Sequence, residues 1–117
     1  MPINYPINYR ARRFRPVDKT ENSETSAETI FLYQQQGQVV TATYAGGAIL
    51  SGHLIGLVDG DGVIEMRYHH ANTSLELQTG VCRSTPEVLP DGRLRLHEAW
   101  QWTSGDRSAG QSVIEER

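Results

Sequence analysis

The stretch Gly92–Asp106, GRLRLHEAWQWTSGD, constrains the fold more than any other part of the chain. It starts at an Asp91-Gly92 turn signal and then alternates. Leu94, Leu96, Glu98, Trp100 and Trp102 share one face. Arg93, Arg95, His97, Gln101 and Thr103 share the other, with Ala99 the one apolar residue among them. A period of two over this length describes a strand with one face buried. Both tryptophans of the protein fall on the apolar face, and so does one carboxylate. A Glu inside an apolar stripe has to be hydrated, paired or protonated, which makes Glu98 the most informative residue of the chain.

The rest of the sequence repeats this pattern with turns between. Glycine-bearing turns follow at Gln36-Gly37-Gln38, Gly46-Gly47 and Asp59-Gly60-Asp61-Gly62, the last being the strongest hairpin signal. Strands are expected at about 10–18, 28–36, 38–45, 48–58, 63–71, 75–83, 93–103 and 110–116. No helix is expected. Gly52 and Gly56 interrupt the apolar run 48–58, and in a strand they mark a bulge or a close approach. Short links between neighbours favour an antiparallel meander. Eight such strands are the number at which a sheet closes on a side-chain-filled or one-ligand interior, which also removes exposed edges. The fold class expected is therefore all-β, an eight-stranded antiparallel up-and-down β-barrel, with a β-sandwich as the alternative. STPEVLPDG reads as a long loop because of its two prolines, and ENSETSAE reads as a loop for want of periodicity. Pro16 demotes the first strand to an edge or a broken one.

Residues 2–9 are a tandem repeat, PINY-PINY, whose prolines and asparagines oppose regular structure. The expected organisation is a flexible tail over 1–9 and a single barrel domain over 10–117. Arg10, Arg12, Arg13 and Arg15 give the first fifteen residues +4, so a chain of net −3 has a body of −7. An acidic body excludes a broad nucleic-acid face, and the arginines read as a solvated strand face. The lone Cys82 cannot form an internal disulfide. No apolar run approaches the roughly 18 residues that span a bilayer, and the N-terminus lacks an apolar signal region. Cytoplasmic location and no membrane partner are the expectations.

No phosphate-binding glycine loop and no nucleophile elbow are present. The DGDG segment lacks the ligand ladder of a calcium loop. His69 and His70 are adjacent and so face opposite sides of a strand. If Ile64, Met66 and Tyr68 point inward, His70 does too, near the rim, while Glu65, Arg67 and His69 meet solvent. His53 is flanked by apolar residues and reads as a core histidine. One alternative brings His53, His70 and Glu98 together inside the barrel. No metal and no cofactor are expected. For Glu98 the structural alternative is pairing with a tyrosine hydroxyl, Arg67 or Arg83. The functional one is a desolvated carboxyl beside Trp100 with a raised pKa, an acid or base in an apolar pocket.

TATYAGGAILSGHLIGLVDGDG, MRYHHANT, TPEVLPDGRLRLHEAWQWTSGD and GQSVIEE together resemble a family of small bacterial proteins. Its R-Y-x-H-x-N pattern is filled by Arg67, Tyr68, His70 and Asn72, and the resemblance spans about residues 25–117. Such proteins carry the label N-acetylglutamate synthase, which implies acetyl transfer from acetyl-CoA to glutamate. The chain offers no Gly-rich strand-to-helix turn to hold the CoA pyrophosphate. Fold analogy with lipocalin- and avidin-like barrels implies ligand binding instead.

The leading expectation is a barrel that binds a small, partly apolar molecule inside. Trp100, Trp102 and Tyr68 would give apolar contact, and Glu98, His70 and Tyr44 would orient polar groups. Behind it stand an enzyme with Glu98 as acid or base, acetyl transfer included, and a packed barrel acting by its surface or by self-association. Residues 28–36 and 48–58 are apolar on both faces, so their facing is open and a homodimer interface is one explanation.

Overall fold

A computed structural model of the protein describes residues 7–117. Eight strands follow one another: β1 (Arg12–Lys19), β2 (Ile30–Gln36), β3 (Val39–Gly46), β4 (Ile49–Val58), β5 (Ile64–Asn72), β6 (Leu77–Val88), β7 (Leu94–Trp102) and β8 (Ala109–Glu116). Each pairs antiparallel with the next, and β8 pairs with β1, so the sheet is a closed up-and-down barrel. The sandwich alternative is excluded by that closing pair.

Alternation carries the packing. Leu94, Leu96, Trp100 and Trp102 of β7 are buried, while His97, Ala99 and Gln101 are exposed. The two ambiguous runs are resolved by register. In β2, Phe31 and Tyr33 point inward and Leu32 outward. In β4 a register shift between Ile49 and Ser51 resets the alternation, so Ile49, Gly52, Leu54 and Val58 face in while Leu50, Ile55 and Leu57 stay exposed.

Three expectations are corrected. First, β6 runs on to Val88 through the segment read as a long loop. Its pairing with β5 ends at Ser84, so Thr85–Val88 have β7 as their one neighbour, and Pro86 needs no second ladder bond. Pro16 is tolerated for the same reason. The β1–β2 ladder stops at Phe14, and Pro16 pairs with β8 alone, beside a bulge. Secondly, the first strand starts at Arg12; Arg10 and Ala11 form a turn, with Ala11 at φ 61°. Thirdly, the tail boundary moves. Ile7 and Tyr9, from the second copy of the PINY repeat, are core residues. The remainder of the expected tail, residues 1–6, lies outside the described residues.

Tyr9 plugs one end of the barrel. It is fully buried, its hydroxyl donates to the Gly62 carbonyl at 2.5 Å, and its backbone N–H donates to Gln35 Oε1 at 2.9 Å. Its ring lies 5.9 Å from that of Tyr33, which meets Phe14 edge-on at 4.9 Å. Leu94, Leu96, Ile114, Val40 and Ile64 fill the same half. The opposite end is closed differently, by the irregular segment 20–29 between β1 and β2.

Candidate functional site

The site is built where β7 leaves the packed half and runs towards the 20–29 segment. Glu98 sits at that boundary, between Leu96 and Trp100. Register sets its neighbours: Ser84 of β6 lies opposite on one side and Ser112 of β8 on the other. The Ser84 hydroxyl donates to Glu98 Oε2 at 3.1 Å, and the Ser112 hydroxyl reaches Oε1 at 3.5 Å. Trp100 Nε1–H donates to Ser112 Oγ at 3.2 Å, which holds that hydroxyl in place. No cation among the described residues pairs with the carboxyl. Arg83 is drawn outside to Glu65, and Arg67 caps the Met66 carbonyl, so the expected arginine pairing is corrected to two serines. Desolvation pushes the Glu98 pKa up to about 7 against the modest pull of the two hydroxyls.

Above Glu98 the barrel axis is open. A cavity of about 50 Å³ is lined there by Glu98, Trp100, Trp102, Tyr68, Tyr44 and His70. Phe31, Leu54, Met66 and the buried Cys82 complete its apolar wall, and Ser23, Glu24 and Thr25 its mouth. A single water needs about 10–15 Å³, so the space holds more than one. Burial and the neighbouring Glu98 charge push the Cys82 thiol well up.

Three inward glycines keep this space open. A Cβ on Gly52 would lie 2.5 Å from the Tyr44 ring, one on Gly80 2.1 Å from Tyr68, and one on Gly110 2.4 Å from Trp100. Each aromatic is the cross-strand partner of its glycine. The rings therefore lie back over bare backbone, against the wall.

A polar chain runs from the wall to the mouth. The Tyr44 hydroxyl bonds His70 Nδ1 at 2.9 Å, and His70 Nε2 bonds Glu24 Oε1 at 2.7 Å. Asn72 Nδ2 donates to Glu24 Oε2 at 3.1 Å and to Glu76 Oε1 at 3.1 Å. His70 and Asn72 are buried; Glu24 is partly exposed. Trp102 Nε1–H donates to the Asn22 carbonyl at 3.1 Å, and Asn22 Nδ2 donates to Ser108 Oγ and the Ala109 carbonyl at 2.9 Å each, so the segment is also held at Asn22. The Tyr33 hydroxyl, fully buried in the packed half, has no hydrogen-bond partner among the described residues.

All six residues expected at a site thus line one cavity. His53 does not join them. It is exposed, and its ring packs on that of His69 outside the barrel, 5.5 Å between centroids, so the convergence of His53, His70 and Glu98 is corrected to His70 and Glu98 alone. Sequence reasoning missed Ser84, Ser112 and Glu24. The first two follow once β7 is paired in register; Glu24 stands in a segment with no periodic signal.

Residues 7–117 match the family described as avidin-like protein. No curated protein and no solved structure matches the chain.

Proposed function

Because the chain belongs to the avidin-like family, we propose that it is a small-molecule-binding barrel whose ligand enters beneath the 20–29 segment. The ligand is small and partly apolar. Its body lies between Trp100, Trp102 and Tyr68, and a hydrogen-bond-donating or cationic group meets Glu98. The observation that carries this reading is the Glu98 carboxyl at the floor of an aromatic-walled cavity, held by two hydroxyls and by no cation among the described residues. A carboxyl in that state donates when protonated and accepts when ionised. A packed interior would leave no such space. Binding, not acetyl transfer, fits the chain: the regular elements of the described residues are all strands, with no strand-to-helix turn to hold a pyrophosphate.

The test is intrinsic tryptophan fluorescence, since both tryptophans line the cavity. The purified protein is titrated with biotin and smaller cyclic ureas, amines, amidines, aromatic acids, fatty acids, glutamate and acetyl-CoA. A saturable change that Glu98→Gln weakens by about tenfold or more supports the reading; a charge-assisted hydrogen bond accounts for that much. No response across the panel, or a response indifferent to Glu98→Gln and Trp100→Ala, rejects it in favour of a packed, surface-acting barrel. Turnover of acetyl-CoA dependent on glutamate rejects it in favour of the enzyme.

A further inference from the structure

The mouth of the cavity holds a carboxylate already, and that carboxylate belongs to the chain. Glu24 arrives from an irregular segment, whereas its partners are built into the barrel. His70 is buried on β5 and is fixed from behind by the Tyr44 hydroxyl. Asn72, the last residue of β5, is locked by its own Oδ1, which accepts the backbone N–H groups of Ser74 at 3.1 Å and Glu76 at 2.9 Å. With Oδ1 committed, Nδ2 has to point at Glu24 and Glu76. The two donors are therefore held whether or not Glu24 is there. The acceptor stands on irregular chain, outside the barrel's ladder, and is the partner that a ligand would replace. The 20–29 segment is anchored by Thr20 to Gln111, by Asn22 to Trp102, Ser108 and Ala109, and by Thr29 to the Gly46 carbonyl, and Ser23, Glu24 and Thr25 cross the mouth between the last two anchors.

We infer that Glu24 is an internal occupant of a carboxylate seat formed by His70 and Asn72, and that the ligand carries a carboxylate that takes its place as the Ser23–Thr25 stretch swings aside. The inference rests on the proposed binding role of the cavity. Charge supports an exchange over a simple addition. Glu76 already stands on the second N–H of Asn72, so a further anion beside Glu24 and Glu76 would be repelled. If Glu24 leaves as the ligand carboxylate arrives, the charge at the seat is unchanged. The ligand then has a donor group for Glu98, an apolar body for the aromatic wall and a carboxylate for the mouth.

The experiment compares the parent, Glu24→Ala, and Glu24→Ala with Asn72→Asp. The Asn72→Asp change keeps an oxygen for the two backbone N–H groups but replaces the seat's donor with an acceptor. Benzoate and cyclohexanecarboxylate are the probes, and intrinsic tryptophan fluorescence is the readout, because the Trp102 ring is 5.7 Å from that of His70. Folding of each variant is checked by its thermal midpoint. The expected result is at least about tenfold tighter carboxylate binding in Glu24→Ala than in the parent, lost again in the double variant. Equal binding by the parent and Glu24→Ala overturns the inference, and so does equal binding by the two variants. A ligand found for the parent that binds Glu24→Ala with unchanged affinity also overturns it while leaving the binding role intact. If no probe and no panel member affects any variant, the binding role fails and the inference fails with it.

Discussion

The two halves of the barrel use the same residue types to opposite ends. In the half plugged by Tyr9, the rings of Tyr9, Tyr33 and Phe14 are fully buried against one another and leave no space between them. In the half beneath the 20–29 segment, Tyr44, Tyr68 and Trp100 each lie over a cross-strand glycine. Removing a Cβ from the wall lets a ring retreat into it, so the axis stays clear. The contrast teaches that aromatic content does not decide whether a small barrel is filled. The residue opposite each ring does. Glu98 stands at the level where the change occurs, which is why a carboxyl can survive there: one side is dry packing and the other is space.

The comparison breaks most visibly at the plug. Tyr9→Ala removes a fully buried ring and its bond to Gly62, and should destabilise the barrel by about 3–5 kcal/mol in urea unfolding. A loss under about 1 kcal/mol would mean that the packed half does not depend on the N-terminal segment.

Glu98 gives the next effect, and its sign is set by the direction of its shift. The folded pKa is raised to about 7. The unfolded carboxyl ionises at about 4.3, so the folded state holds a proton that the unfolded state has lost between those values. Stability falls as pH rises from about 4 to 7 and then levels. Glu98→Gln removes that dependence. It should stabilise the protein at pH 8 by up to about 3 kcal/mol, with no gain at pH 4. Equal effects at both pH values would show that the carboxyl is not desolvated.

Gly52→Ala should cost about 1–3 kcal/mol, because the new methyl meets the Tyr44 ring. The ring would be pushed towards the axis and away from His70, so any ligand affinity should fall by more than stability accounts for. A neutral Gly52→Ala would remove the glycine argument.

Much of this plan was legible in the sequence. The alternation of β7 marked the inward face, and the turn glycines marked the meander. The same parity in β5 placed Tyr68 and His70 inside. Where parity was silent, the sequence was silent too. In β4 both faces are apolar and a bulge resets the alternation, so the outward His53 could not be distinguished from an inward one. Pro86 hid the end of β6, since a strand with one neighbour tolerates a residue that a central strand does not. The repeat hid Tyr9, whose burial depends on an opening that the other strands leave. Glu24 is held by His70 and Asn72 across nearly fifty residues of chain, and no local pattern announces such a contact.

The β1–β8 pair that closes the sheet bears on how the molecule comes to exist. Each strand from β1 to β7 pairs with its immediate successor and can do so as soon as that successor is made. The other edge of β1 must wait for β8, seven strands later, before it is covered. For most of synthesis β1 is an open edge of the kind that recruits other chains. Its sequence is suited to waiting. Pro16 withholds an amide, and Arg13 and Arg15 are exposed along the same strand. When β8 arrives it brings Glu115 opposite Arg15 in register, and Glu116 to an ion pair with Arg12 at 2.7 Å. The arginines read from the sequence as a solvated strand face are one half of a clasp whose acidic half, Glu115 and Glu116, is the end of the strand that closes the ring.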